Sequence, residues 1–364
     1  MPIIEWMPTL LLAFLLTILI IHSLKKPARD WGWVDKPNHR KHHKGAIPLV
    51  GGTAMFIAFA VAWLTLNQSL VALNGLLGGM SILVVTGIYD DRHEAPASLR
   101  FVAQIVASFC IIWGDGVYLR SLGELLGNSA ISLDLMAVPF TIFCVVGVIN
   151  ALNMIDGLDG LAGGLALVST VCLLLLAQAS QAHPSIILLL GLLASVITGF
   201  LYFNLRHPWR RQASVFMGDA GSMVLGLALA WAFVKLSQGE QRAFSPIVAV
   251  WVFGLPLMDT IAVMIRRVLG GKSPFESDRR HIHHLLLHSG ISTAKVTVYL
   301  LLASAALGGI GIAGWYKAVP DHALFYGFLS LFTLYFFLTS LAWRMLDKSR
   351  RVTIESKTGE SVPS

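Results

Sequence analysis

The stretch SIILLLGLLASVITGFLYFN, from Ser185 to Asn204, contains no charged residue, and a basic segment from Arg206 to Arg211 follows it. A helix of about 20 apolar residues crosses the hydrocarbon core of a bilayer. Basic residues collect in the loops on the cytoplasmic side. This stretch therefore predicts a membrane-spanning helix that ends at the cytoplasmic surface.

The rest of the chain repeats this pattern. Hydrophobic residues make up 55% of the 364 residues, charged residues make up 13%, and the mean hydropathy is +0.71. These values lie outside the range of soluble globular proteins. We expect an all-α, polytopic membrane protein with about eleven spans. The predicted spans are Pro8–Leu24, Leu49–Leu66, Leu70–Tyr89, Phe101–Trp113, Met136–Leu152, Leu161–Ala179, Ser185–Asn204, Ala220–Leu236, Pro246–Ile265, Val296–Ala313 and Leu324–Trp343.

The basic residues predict the orientation of these spans. With the N-terminus outside and the C-terminus in the cytoplasm, all but four of the 27 basic residues fall on the cytoplasmic side. The four exceptions are Arg120, Lys235, Arg242 and Lys317. The formal charge of +7 is therefore mainly a topology signal, with some attraction to anionic lipids or phosphorylated substrates, and it does not imply nucleic acid.

The sequence predicts one catalytic membrane domain and a short tail. No fixed-period repeat or linker divides residues 1–346, which we expect to form a single transmembrane domain. Residues 347–364 are polar and rich in Ser, Lys and Glu, and we expect them to be a disordered cytoplasmic tail.

Polar residues concentrate in the segments predicted to be cytoplasmic, above all between Asn150 and Gly160. Asn150, Asn153 and Asp156 recur every three residues and therefore share one face of a helix end. Glycines at 157 and 160 then let a ligand approach the backbone. Oxygen ligands in this arrangement suit a hard cation that carries a diphosphate, whereas the alternative is simple capping of a helix.

Two further carboxylate motifs lie at predicted span ends. Asp90 and Asp91 end an apolar run, where one could be a general base or metal ligand, or both could be solvated. Asp219 lies between glycines in VFMGDAGS, at the entry to a span, where it could bind a metal or cap the helix. Lys44, before the segment IPLVGG, could neutralise phosphate oxygens or serve only orientation.

The segment from Asp278 to His284, DRRHIHH, combines two arginines with three imidazoles. If it is helical, we expect His281 and His284 to share a face and His283 to point elsewhere. A zinc site is an alternative, but no thiolate or clear carboxylate completes it, so a cationic clamp on a pyrophosphate is the better interpretation. Asp259, inside an apolar run, is expected to face the bundle interior and pair with a basic group.

These motifs together resemble the polyprenyl-phosphate N-acetylhexosamine-1-phosphate transferase family. The resemblance runs from about Val34 to Gly290 and rests on several motifs in order: VDKPN, IPLVGG, VFMGDAGS, and SPF followed by HIHH. It is closest to the bacterial members that transfer GlcNAc-1-phosphate from UDP-GlcNAc to undecaprenyl phosphate in the inner membrane, with the active site facing the cytoplasm. Those members begin O-antigen or enterobacterial common antigen synthesis. The resemblance also implies a homodimer.

The resemblance implies a role for each candidate residue. Asn153 and Asp219 would hold Mg²⁺, or Mn²⁺ in its place, with the donor diphosphate. The groups near the uracil, the ribose or the donor phosphates would be Lys44, Asn150, Gly157, Leu158, Asp159 and Arg280. The catalytic groups would be Asp90, Asp91, Asp156, His281, His283 and His284. Of these, Asp90 and Asp91 would lie near the polyprenyl phosphate.

Several alternatives stay open at this point. The family includes members that use another UDP-N-acetylhexosamine, and the transfer could proceed in one step or through an aspartyl-phosphate. A prenyltransferase would need a second Asp-rich box, and a CDP-alcohol phosphotransferase would need an Arg shortly after Asp156-Gly157; the sequence has neither. A membrane transporter would explain the spans without chemistry, although its polar residues would be expected near the midplane.

Overall fold

The computed structural model describes residues 2–36, 45–66, 73–127, 129–273 and 280–358. Thirteen α-helices make up most of the described chain, together with one short hairpin, a 3₁₀ turn at Asp134–Met136 and a π-helical turn at Cys110–Gly114. The helices are α1 Pro2–Asp30, α2 Gly51–Thr65, α3 Asn74–His93, α4 Ala97–Phe109, α5 Ala137–Ile155, α6 Leu161–Ala179, α7 Pro184–Asn204, α8 Gly218–Ser237, α9 Pro246–Val252, α10 Gly254–Leu269, α11 Ile282–His288, α12 Thr293–Tyr316 and α13 Asp321–Thr358.

The predicted all-α, polytopic membrane fold is confirmed. In the described part of the chain, eight helices are long and apolar enough to cross a membrane, or nine if the bent pair α9 and α10 forms one span. Two of the eleven predicted runs, Leu49–Leu66 and Leu70–Tyr89, correspond to α2 and α3, which do not meet that test. The count of eleven and the orientation of the termini stay predictions.

The expectation that residues Pro246 to Ile265 form one continuous helix is wrong. It forms α9 and α10, which meet at an angle of 82°. Pro256 lies in the first turn of α10, where its missing N–H leaves no hydrogen bond to the end of α9. Proline is tolerated in a first helical turn, so the chain begins a new helix instead of continuing the old one.

Helix α8 lies at the centre of the bundle, and nearly all of its residues are buried. Glycines allow its neighbours to approach closely. A Cβ at Gly87 of α3 would lie 2.2 Å from Ala220, and a Cβ at Gly226 would lie 2.6 Å from Ile149 of α5. Small residues at such crossings let membrane helices pack backbone to backbone. The ends of α3, α5 and α8 are therefore held in fixed positions relative to one another.

The segment IPLVGG packs directly against the segment VFMGDAGS. Strand β1, Val34–Asp35, pairs antiparallel with strand β2, Ile47–Pro48. The Phe216 amide donates to the Pro48 carbonyl at 2.9 Å, and the Gly52 amide donates to the Met217 carbonyl at 2.9 Å. A Cβ at Gly52 would lie only 2.2 Å from Gly221, so this position requires glycine. These contacts position the turn that leads into Asp219.

The end of the chain is helical as far as it is described. Helix α13 continues from the last predicted span to Thr358. The division into a membrane domain and a disordered tail at residue 346 stays a prediction, and residues 359–364 lie outside the described part.

Candidate functional site

Asp219 and Asn153 meet at one end of the bundle. Asp219 lies in the first turn of α8, and Asn153 lies in the last turn of α5. The Asn153 amide donates to Asp219 Oδ1 at 2.6 Å and to the Ser222 hydroxyl at 2.9 Å. The two residues predicted to share a metal are therefore in direct contact, and Ser222 fixes the orientation of the amide.

Asp91 holds the turn that carries Asp219. Its Oδ1 accepts the Asp219 backbone N–H at 2.8 Å. Its Oδ2 is buried, and no residue in the described part of the chain donates a hydrogen bond to it. Gly218 has a φ of 73°, and a Cβ at that position would lie 2.5 Å from this oxygen. A buried carboxylate oxygen without a donor is costly, so the second oxygen is available to a proton or a cation.

Asp90 contacts the start of α4 and also lies close to Asp219. It is 5% exposed, accepts the Ala95 N–H at 2.7 Å, and pairs with Arg100 at 3.0 Å. Arg100 also approaches Asp219 Oδ2 at 3.9 Å. Asp90 therefore positions Arg100 beside Asp219, and both of its oxygens are already used.

Asn150 faces helix α4. Its amide donates to Gln104 at 2.6 Å and to the carbonyl of Val146 at 2.8 Å. The sequence interpretation missed Arg100 and Gln104. Their signal was a polar stripe, since Arg100, Gln104 and Ser108 recur every four residues on an otherwise apolar helix.

The segment after α5 brings two more carboxylates to this end of the bundle. The Asp156 side chain is partly open to solvent. Desolvation by the surrounding protein, together with the nearby charges of Asp219 and Asp159, raises its pKa to about 7. Asp159 is 9% exposed, accepts Arg206 Nε at 2.7 Å, and accepts the Ala213 N–H at 2.9 Å. One oxygen of Asp159 thus stabilises the basic loop that follows α7.

His281 forms a buried network with Asp259. Its Nδ1 lies 2.7 Å from Asp259 Oδ2. The other oxygen of Asp259 accepts the Ile282 N–H at 2.9 Å and the Tyr335 hydroxyl at 2.8 Å. The expectation that Asp259 pairs with a basic group is confirmed. This network anchors the start of α11 to α10 and α13.

The expectation that His283 points away from His281 is wrong. His281 has an extended backbone and precedes α11, so helical spacing does not apply to it. The two rings stack with centroids 5.6 Å apart, and His284 lies 4.2 Å from His283. His283 is 1% exposed, and neither of its ring nitrogens has a hydrogen-bond partner among the described residues. Burial and the neighbouring His284 and His281 lower its pKa to about 3, so it is neutral at pH 7.

Gly157 links the histidines to the carboxylates. A Cβ at Gly157 would lie 2.5 Å from His283 Nε2. Asp156 precedes this glycine, and half-buried Leu158 follows it and packs on the core. His283 therefore packs beneath the segment that carries Asp156, at the same end of the bundle as Asp219.

Two candidates remain. Arg280 is exposed, and its carbonyl accepts Arg266 at 2.9 Å and the Trp343 indole at 3.1 Å. Lys44 lies outside the described residues.

The donor set around Asp219 fits a magnesium ion bound with a diphosphate. Among the described residues, no three His, Cys, Asp or Glu side chains are arranged as a complete metal site. Mg²⁺ does not require one, because it is usually held by one or two carboxylates, substrate phosphates and water. Asp219, the Asn153 amide oxygen and the unpartnered oxygen of Asp91 are groups of this kind.

Comparison with known proteins places the chain in a family. Residues 73–237 match glycosyl transferase family 4, and this range contains the carboxylates at this end of the bundle: Asp90, Asp91, Asp156, Asp159 and Asp219. The chain is 37% identical over 354 residues to the undecaprenyl-phosphate alpha-N-acetylglucosaminyl 1-phosphate transferase of Haemophilus influenzae, covering 96% of this chain and 97% of that protein. Enzymes of the same name from Yersinia pestis and Escherichia coli K12 are 37% and 34% identical and cover 92% and 93% of this chain, and 92% of each relative.

These similarities extend over nearly the whole chain and agree with the motifs around Asp219. They confirm the resemblance drawn from the sequence. The protein is a multi-pass membrane member of glycosyl transferase family 4.

Proposed function

We propose that this protein transfers GlcNAc-1-phosphate from UDP-GlcNAc to undecaprenyl phosphate, and that the products are undecaprenyl-diphosphate-GlcNAc and UMP. The names of the relatives support this reaction. The observation that carries the proposal is the direct contact between Asn153 and Asp219, with Arg100 3.9 Å from the same carboxylate. Oxygen ligands and a guanidinium together form a site for a metal-bound diphosphate.

The reaction would take place at the cytoplasmic surface of a bacterial inner membrane. The cluster lies at the last turns of α3 and α5 and the first turn of α8. Basic residues of the loop from Arg206 to Arg211 and at Arg92 lie at the same end. The positive-inside rule assigns such an end to the cytoplasm. A lipid phosphate can reach it from the bilayer, and a nucleotide sugar can reach it from water.

Asn153 and Asp219 would hold Mg²⁺, with Mn²⁺ as a substitute. When bound, the ion supplies positive charge that stabilises the diphosphate oxygens as UMP departs. Ser222 fixes the Asn153 amide through a hydrogen bond at 2.9 Å, and Asp91 fixes the backbone of Asp219. The ligands are therefore oriented before the donor arrives, which lowers the entropy lost on alignment.

The remaining groups act on charge and proton position. Arg100, held by Asp90, would face the developing negative charge on the leaving phosphate. A lipid phosphate oxygen would attack the β-phosphorus of the donor, and the bond to the UMP oxygen would break with its electron pair. With an unpartnered oxygen, Asp91 could accept a proton from the lipid phosphate. His283, neutral and packed on Gly157, would position the Asp156 segment.

Product analysis with purified protein tests the proposal. UDP-GlcNAc, other UDP-N-acetylhexosamines and UDP-glucose are supplied with undecaprenyl phosphate, with and without Mg²⁺, and UMP and the lipid product are quantified. The proposal requires UMP and lipid-linked GlcNAc in equal amounts, dependence on Mg²⁺, and inhibition by tunicamycin. A preference for another UDP-N-acetylhexosamine would change the sugar but keep the reaction.

Two controls separate the alternatives. A burst of UMP without lipid acceptor would indicate an aspartyl-phosphate route, and its absence supports direct transfer. Uptake of UDP-GlcNAc into proteoliposomes without UMP release would indicate a transporter and contradict the proposal. The proposed homodimer rests on the family resemblance alone, and the mass of the protein in detergent tests it.

A further inference from the structure

A large cavity lies at the end of the bundle opposite Asp219. It has a volume of about 920 Å³, and Lys235, in the last turn of α8, is one of its lining residues. At 1.5 Å of rise per residue, Lys235 is about 24 Å further along α8 than Asp219. This cavity is therefore separate from the site described above.

Most of the basic residues that lie on the predicted outer side of the membrane line this cavity. Only four basic residues lie in segments assigned to the outer side, and three of them, Arg120, Lys235 and Arg242, line this one cavity. The fourth, Lys317, is not among the lining residues. Positive charge on the outer side disfavours insertion in this orientation, so topology does not explain why three basic residues surround one cavity. A ligand with negative charge would explain them.

These positive charges are only partly compensated. In the part of the chain that the structure describes, none of the three forms an ion pair within 4.0 Å, and among the lining residues Glu240 alone carries a carboxylate. Asp115 lies behind the lining and offsets part of the Lys235 charge. Three basic side chains against these two carboxylates leave the cavity with net positive charge.

Neighbouring residues position one wall of the cavity. Gln238 accepts the backbone N–H groups of Arg120 and Ser121 at 2.9 and 3.1 Å, and its amide donates to the Ser121 carbonyl at 3.0 Å. The Arg120 guanidinium lies 4.8 Å from the centre of the Tyr118 ring. Gln181, at the rim, holds a left-handed φ of 56°, which is unfavourable for a residue with a side chain. Arg120 is thus held in place by Gln238 and Tyr118.

We propose that this cavity binds a phosphate-bearing ligand on the outer side of the membrane. Arginine and lysine donors match phosphate oxygens, and three basic side chains around one cavity favour a phosphomonoester or diphosphate over a monovalent carboxylate. The volume lies in the range of ligand pockets and exceeds that of a lone phosphate, so it leaves room for a polar head group beside Gln241 and Ser180. The phosphate belongs either to an outer-leaflet lipid or to a soluble organic phosphate. This inference does not depend on the proposed transferase reaction.

Lipid retention and anion binding by the purified full chain test the proposal. The wild type is compared with the triple variant Arg120→Gln, Lys235→Gln, Arg242→Gln and with the matched control Lys317→Gln, all in EDTA. Native mass spectrometry counts phosphatidic acid retained from mixed phosphatidylcholine micelles, and thermophoresis measures the Kd for inorganic pyrophosphate. Each lost charge-assisted contact is worth about tenfold in affinity, so the triple variant should lose at least that factor.

Each outcome supports or overturns the proposal. Loss of phosphatidic acid alone in the triple variant identifies a lipid head group, and loss of pyrophosphate binding as well identifies the phosphate itself. Unchanged binding of both probes would overturn the proposal, and so would an equal loss in Lys317→Gln, which would indicate a general charge effect. If the triple variant does not elute as a single peak in size-exclusion chromatography, Lys235→Gln alone is compared with Lys317→Gln in the same two assays.

Discussion

Replacing Asn153 with Asp tests the position of the metal most sharply. The Asn153 amide nitrogen lies 2.6 Å from Asp219 Oδ1, so Asn153→Asp puts two carboxylates in contact. At about 3 Å, two unit charges repel by about 1.4 kcal/mol in water and about 6 kcal/mol at an effective dielectric constant of 20. The Asp219 side chain is 34% exposed and Arg100 lies 3.9 Å away, so we take about 2 kcal/mol as the destabilisation.

The expected signature is stability that depends on magnesium. Asn153→Asp keeps an oxygen for the metal but removes the hydrogen bond, so Mg²⁺ should restore the Tm that the variant loses in EDTA. Asn153→Ala should also lose stability, because its partners Asp219 and Ser222 lose a donor, but Mg²⁺ should not restore it. Thermal unfolding in detergent, with and without Mg²⁺, measures both variants. Equal Tm values for Asn153→Asp in EDTA and in Mg²⁺ would show that Mg²⁺ does not bind between Asn153 and Asp219.

Three further substitutions test other parts of the site. Gly157→Ala places a Cβ 2.5 Å from His283 Nε2, so the buried ring must move by about 1 Å. The rate of UMP release should therefore fall about a hundredfold. The control Gly147→Ala has open space around its Cβ and should release UMP at nearly the wild-type rate. Asp156 has a folded-state pKa of about 7, above the ordinary 3.8 of an aspartate, so the native state holds a proton that the unfolded state has lost. The stability contributed by this group therefore falls as pH rises from about 4 to about 7. Asp156→Asn should remove that loss, so in EDTA its Tm advantage over wild type should grow across this range; a constant difference would contradict it. Asp259→Asn weakens three buried hydrogen bonds and should destabilise the protein by about 3 kcal/mol, measured as a lower Tm, and an unchanged Tm would show that the network carries little stability.

The sequence predicted the membrane fold and the main partners of the site because both depend on local signals. Uncharged runs mark helices that must satisfy their backbone hydrogen bonds in lipid, and polar residues at span ends mark one surface. The Asn153–Asp219 contact follows from two such motifs. The break between α9 and α10 was missed although Pro256 marked it, because hydropathy alone reads the run as one span.

The pairing of individual side chains was not accessible from the sequence. Asp90 and Asp91 are adjacent and looked equivalent, yet Asp90 binds Arg100 while Asp91 binds the backbone of Asp219. Neighbouring residues on a helix point about 100° apart, and only the positions of α4 and α8 decide what each one meets. Asn150 likewise bonds to Gln104, which lies on another helix.

The rate of UMP release by Asp219→Ala is the decisive measurement of whether the donor diphosphate binds at Asp219. Asp219 accepts the Asn153 amide at 2.6 Å and lies 3.9 Å from Arg100, so its removal takes away the group on which the proposed diphosphate site converges. The measurement compares initial rates of the purified variant and wild type with UDP-GlcNAc, undecaprenyl phosphate and saturating Mg²⁺, after both elute as single peaks. We expect a loss of at least a hundredfold, in keeping with the removal of an electrostatic group at a reacting phosphate. A variant that keeps more than a tenth of the wild-type rate would contradict it.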